Sequence, residues 1–249
     1  MQSLINLQKE TIIKLASGSD TFLVERLAGD DCLPERNFSL GENARANYLL
    51  VVTKGASLDN IYRSWQLETG AVLKTYYLFL ESTASVWHLQ HRLADRARIE
   101  NHSLFLGRGQ DNLQVKADYD FAGQGSYGRV QVDAWLDNES RLRYDANLNV
   151  LAAAQQSDTR VDMRLRLASQ TARGQLIPGL NIAANDVRAG HSASTFQLSK
   201  EDLFYLRSRG LSPEAAQKLF ALSLSRNFVK GLDDAELSSE ILSLISARL

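Results

Sequence analysis

Between Thr11 and Phe196 the chain is a series of short apolar runs in which large side chains alternate with polar ones, and no helical crossover separates them. Thr11-Ile12-Ile13-Lys14-Leu15, Thr21-Phe22-Leu23-Val24, Tyr48-Leu49-Leu50-Val51-Val52 and Lys74-Thr75-Tyr76-Tyr77-Leu78-Phe79-Leu80 are dense in β-branched, aromatic and leucine side chains and read as strands. Leu113/Val115/Ala117, Val130/Val132/Ala134, Leu142/Tyr144/Ala146 and Val161/Met163/Leu165/Leu167 keep the two-residue period of half-buried strands. Small and polar lead-ins such as Gly70-Ala71-Val72 and Asp158-Thr159-Arg160-Val161 precede many of them as an irregular quasi-repeat. Short strands in series without crossovers fit a sandwich or a β-solenoid, and either buries one face of each strand. Arg141, Arg143, Arg164 and Arg166 take the solvated alternate positions.

The pattern changes near Leu198, which divides the chain into a β region, residues 1–197, and a small α-helical subdomain, 198–249. Ser199 with Asp202 resembles a capping box ahead of an apolar stripe that includes Leu203, Tyr205 and Leu206, and Gly210 stops that helix. Ser212-Pro213 opens a second helix, with Ala216, Leu219, Phe220 and Leu222 to Leu224 as its expected buried side. A third helix begins at Asp233-Asp234 and carries Leu237, Ile241, Leu244 and Ile245 at helical spacing.

With 28 Lys and Arg against 29 Asp and Glu, the net charge of -1 offers no bulk attraction to nucleic acid or to an anionic membrane. The N-terminus interrupts its apolar residues with Gln8, Lys9, Glu10 and Lys14, so it lacks a signal-peptide core, and a cytoplasmic location is expected. No apolar run reaches the roughly 18 residues of a membrane span. The single cysteine, Cys32, cannot form an internal disulfide or build a thiolate cluster site alone.

The segment Asp186-Val187-Arg188-Ala189-Gly190-His191-Ser192-Ala193-Ser194, then Leu203-Phe204-Tyr205-Leu206-Arg207-Ser208-Arg209-Gly210-Leu211, then Glu214-Ala215-Ala216, resembles the C-terminal signature of the SufB/SufD family. Upstream, Pro178-Gly179-Leu180-Asn181-Ile182 is similar to the strand that leads into that signature. The resemblance implies a right-handed parallel β-helix with a helical C-terminus. It also implies a non-enzymatic scaffold role in iron-sulfur cluster assembly and a short member without the family's larger N-terminal helical region. SufB-type members carry a functional cysteine at a position near Ala172, and Glu after the histidine where Ser192 stands here, so the chain is similar to the SufD branch.

On that resemblance His191, in a turn after Gly190, is the expected cluster-assembly and metal-ligating residue, because a neutral imidazole can ligate iron or donate to a cluster sulfur. Its partners are expected to be a SufC-type ABC ATPase and either a second copy or a SufB-like paralogue. Tyr205, Arg209, Leu219 and Phe220 are the expected ATPase contacts. No cofactor is expected to stay bound to the chain alone, and a transient iron-sulfur cluster is expected only in the complex.

Other chemistries are weaker. His88 and His91 point to opposite faces of a strand, which is wrong for a shared metal. Gly107-Arg108-Gly109 and Gly123-Gln124-Gly125 lack the flanks of phosphate loops and read as turns. Asp118 and Asp120 could serve as the paired carboxylates of a sugar-cleaving β-helix, but alternating on one strand face near a Gly turn they are expected to solvate an edge instead. A helix-turn-helix DNA contact at Gly210 is opposed by the balanced charges of the C-terminal region.

Overall fold

The computed structural model describes residues 3–29, 33–54, 60–81, 85–197, 204 and 207–249. Among the described residues, fifteen strands follow one another, from β1 (Ser3–Asn6) to β15 (Arg188–Gln197), before helices α1 (Pro213–Val229) and α2 (Ala235–Arg248). Successive strands alternate between two parallel sheets, with odd-numbered strands in an eight-stranded sheet and even-numbered strands in a seven-stranded one. This is the β-solenoid alternative. Arg98 of β9 (Arg98–Gly107) pairs with Tyr127 of β11 (Tyr127–Leu136), which pairs with Asp158 of β13 (Asp158–Leu167), so one turn takes roughly 30 residues. Each sequence step seen between strand starts is therefore half a turn.

Burial explains the two kinds of apolar run. Along β10 (Asn112–Phe121) and β12 (Arg141–Val150), every second side chain is buried in the shared interior and the others face outward. In β5 (Arg45–Lys54) and β7 (Val72–Phe79) the outward Leu49, Val51, Tyr76 and Leu78 are buried as well, because the helices lie over them. A strand covered on both faces reads as a continuous apolar run.

Three strands are poorly marked in the sequence: β4 (Glu35–Leu40), β6 (Asn60–Leu67) and β9. Arg36, Arg63 and Asn101 occupy their inward positions, and polar residues there interrupt the expected alternation. Each is held inside by partners. Glu25 on β3 (Asp20–Ala28) accepts two bonds from Arg63, at 2.6 and 3.0 Å, and lies 3.5 Å from Arg36. Asn101 donates to Thr75 at 2.7 Å and accepts from Ser103 at 3.1 Å. Phe38, Trp65, His91 and Tyr119 stand in register through four turns, with Phe38 stacked on Trp65 and His91 on Tyr119.

The turns repeat as well. Gly18, Asn43, Gly70, Arg96, Gly125 and Gln156 all take positive φ, and each donates its amide to a carbonyl in the next turn of the solenoid. Asn43, Arg96 and Gln156 take the same left-handed conformation that glycine adopts at the other turns, where it carries no steric cost. Gly109 and Gly125 lie in turns, as read from the sequence.

The Ser212 hydroxyl caps α1 by accepting from the Ala215 amide at 3.1 Å, and Asp234 caps α2 at the Leu237 amide. Gly210 takes φ 82° and ends the segment before α1. The cap proposed at Ser199 and Asp202, with its stripe through Leu206, lies outside the described residues. Both helices rest on the outer face of the eight-stranded sheet, where Leu224, Phe228, Ile241 and Ile245 join Val51, Tyr76, Leu104 and Leu106 in one apolar cluster. Arg26 pairs with Glu240 at 3.0 Å, Arg248 with Asp111 at 2.5 Å, and the Tyr76 hydroxyl donates to the Gly231 carbonyl. On α1 the buried side agrees with expectation at Ala216 and Leu224 but not at Leu219 and Phe220, which are exposed, while Ala221, Ser225 and Phe228 are buried.

Candidate functional site at the open end of the solenoid

Among the described residues, strands β14 (Arg173–Ile182) and β15 each have one neighbour within their sheet, because the two sheets end there. His191 lies within β15 rather than in a turn; the turn is the preceding stretch at 185–186. It continues a column of inward-facing residues, Asn101, Val130 and Val161, each at most 2% exposed and each paired with the next. His191 takes the next place in that column, yet it is exposed, because no further turn among the described residues covers it. Ala193 and Thr195 are exposed for the same reason.

The opposite face of β15 is fastened down. Ser192 donates to Asp162 Oδ1 at 2.6 Å, and Arg160 donates to both Asp162 oxygens at 3.0 and 2.8 Å. These bonds, first of all the one from Arg160, hold the Asp162 carboxyl below the usual carboxylate range. With Ser192 drawn to the outer side, strand alternation directs His191 to the inner one. Ala172 is buried immediately before β14.

No group of three or more His, Cys, Asp or Glu residues that could hold a metal ion occurs among the described residues. His191 thus brings one nitrogen to an open surface, and Cys32 lies outside the described residues. The other histidines have structural surroundings. His88 faces outward, stacked on Tyr62, while His91 faces inward with Nε2 3.2 Å from the Tyr77 hydroxyl. Burial pushes the His91 pKa down to about 3, which keeps the ring neutral. Asp118 and Asp120 lie on a central strand, correcting the edge assignment, and accept bonds from Asn147 and Asn149 at 2.9 and 2.8 Å.

A family model described as the SufBD core domain of SUF system FeS cluster assembly matches residues 2–223. The chain belongs to the SufBD family. Among curated relatives, the iron-sulfur cluster assembly protein SufD of Escherichia coli (strain K12) is 28% identical over 114 residues, covering 46% of this chain and 27% of that protein. SufD of Bacillus subtilis (strain 168) is 23% identical over 150 residues, covering 60% of the chain and 34% of that protein. A SufBD family protein of Mycobacterium leprae (strain TN) is 28% identical over 225 residues, 82% of this chain and 57% of its own length. Matches to the two SufD proteins thus span about a third of their length or less. The parallel β-solenoid with two C-terminal helices is the framework on which this SufBD chain carries His191.

The four expected ATPase contacts do not form one described group with His191. Tyr205 lies outside the described residues, and Arg209 is exposed just before Gly210. Leu219 is 54% exposed, and Phe220 shares a small hollow with Trp135 and Phe196. Phe196 and Phe204, both exposed, were not singled out from the sequence, since an isolated aromatic in a polar strand or helix end carries no periodic signal. No described helix is long and apolar enough to cross a membrane.

Proposed function

We propose that the chain is a SufD-like, non-enzymatic scaffold subunit of iron-sulfur cluster assembly that works in a complex. The observation that carries this reading is the exposure of His191 at the end of a column whose preceding members are buried. Among the described residues β14 and β15 are the last strands of their sheets, which favours a partner that continues or caps them, either a second copy or a SufB-like paralogue. In that arrangement His191 lies at the junction and supplies one imidazole ligand to a transient cluster, while the partner supplies the thiolates. Exposed Leu219 and Phe220, with Tyr205 and Arg209 nearby in sequence, fit the docking of a SufC-type ATPase, since apolar and aromatic anchors dominate such contacts.

Co-expression with a SufC-type ATPase and a SufB-like paralogue tests the proposal. A stable complex that accumulates iron and sulfide anaerobically is expected. His191→Ala is expected to lower the cluster content without dissolving the complex, and Leu219→Asp with Phe220→Asp to release the ATPase alone. Unchanged iron and sulfide in the His191 variant removes that residue from the site, and retention of the ATPase by the double variant refutes the docking surface.

A further inference from the structure

We propose that the cleft where β10, β12 and β14 begin is an oxyanion site for a phosphate-bearing small molecule. It lies on the outer face of the seven-stranded sheet, has a volume of about 280 Å³, and is lined by Arg141, Arg143 and Arg173 together with the amides of Asn112, Gln114 and Gln175. That size is close to the lower end of small-ligand sites, roughly 300–1,000 Å³, and suits a compact anion.

Sheet register places the three arginines on one face of neighbouring strands. Arg141 pairs directly with Arg173 on the neighbouring strand, and Arg143 follows two residues later on the same face. Like charges directly opposite one another in a sheet repel, so this register is unfavourable without an anion between them. No carboxylate lines the cleft. Asp145 engages Arg143 at 3.1 Å and stands in register with Lys116, which leaves Arg141 and Arg173 without a carboxylate among the lining residues. The chain as a whole has a net charge of -1, so this concentration does not reflect general basicity.

Two of the arginines have protein partners. Arg173 donates to the main-chain carbonyls of Gln170 and Ala172 at 2.6 and 2.9 Å, and Arg143 reaches Gln175 Oε1 at 3.3 Å. Arg141 has neither an ion pair nor a side-chain hydrogen bond among the described residues. Guanidinium forks match phosphate oxygens in pairs, and three of them around one cleft suit a group with several equivalent oxygens better than a carboxylate with two.

Calorimetric titration of the full chain with inorganic phosphate, pyrophosphate and adenosine diphosphate at low ionic strength tests the proposal. Saturable one-site binding of at least one of them is expected, weakening as salt rises. Arg141→Gln and Arg173→Gln should each weaken binding at least tenfold, whereas Lys9→Gln should leave it unchanged. The three arms separate a free phosphate site from one that requires a diphosphate or a nucleotide. Amide chemical shifts of the wild-type chain give a reading that does not depend on variant folding, and the largest changes are expected at residues 112–114, 141–143 and 173–175. Absence of saturable binding, equal affinity in the arginine variants, or shift changes centred elsewhere would overturn the assignment.

Discussion

Glu25 and Arg63, on strands from the two different sheets, meet inside the solenoid as a two-point ion pair in which neither side chain is more than 1% exposed. The Tyr48 hydroxyl donates to the same carboxylate, and Arg36 stands beside it. Removing the carboxylate strands two guanidinium groups in the interior. Glu25→Ala is therefore expected to lose about 3–5 kcal/mol of stability in urea denaturation, the range for breaking a buried pair from one side. A loss below about 1 kcal/mol would mean that water reaches this cluster.

The buried His91 makes stability depend on pH. Its pKa falls from an ordinary 6.5 in the unfolded chain to about 3 in the fold, because burial disfavours the charged ring. The unfolded chain therefore binds the proton first as pH drops. This contribution is complete above pH 6.5 and is lost progressively as pH falls toward 3, at about 1.4 kcal/mol per pH unit within that window. His91→Phe keeps a ring against Tyr119 and cannot titrate. Denaturation series across the window should show a shallower pH slope for the variant; parallel slopes would refute the contribution of His91.

Gly123 packs against the main chain of the preceding turn of the solenoid. A Cβ at that position would lie 2.1 Å from the Asp95 amide nitrogen and 2.2 Å from the Ala94 carbonyl carbon, and backbone atoms cannot rotate away as a side chain can. Gly123→Ala should cost about 1–3 kcal/mol through overpacking, visible as a lower Tm.

Helix α2 is held to the eight-stranded sheet chiefly by its apolar face. Ile241 is fully buried there, beside Ile245 and Leu237. Ile241→Ala is expected to cost about 2–5 kcal/mol. Hydrogen exchange should show α1 and α2 losing protection before the solenoid, since their shared cluster lies outside the interior core. Simultaneous loss in both regions would mean that helices and solenoid unfold as one unit.

Much of the solenoid could be read directly. Alternation in Leu113 to Ala117, Leu142 to Ala146 and Val161 to Leu167 gives strands with the correct inward faces, because a two-residue period has only one way to hide its apolar half. The cap at Ser212 was equally legible, since a side-chain oxygen before a helix satisfies nearby amides whatever the rest of the fold does. The strands carrying Arg36, Arg63 and Asn101 were less clear, because long-range partners such as Glu25 and Thr75 are what make inward polar groups tolerable.

His191 shows where the division falls. Its surrounding residues alone sufficed to mark it as a site candidate and to relate the chain to the SufB/SufD family. Its place on a terminal strand, exposed at the end of a buried column, was decided only by tertiary structure. The same holds for the outer face of the eight-stranded sheet, where a continuous run such as Tyr48 to Val52 requires cover on both sides but does not say that α1 and α2 provide it. Local pattern states which surfaces must leave water; only the assembled chain decides what each surface meets, because those partners lie turns of the solenoid apart.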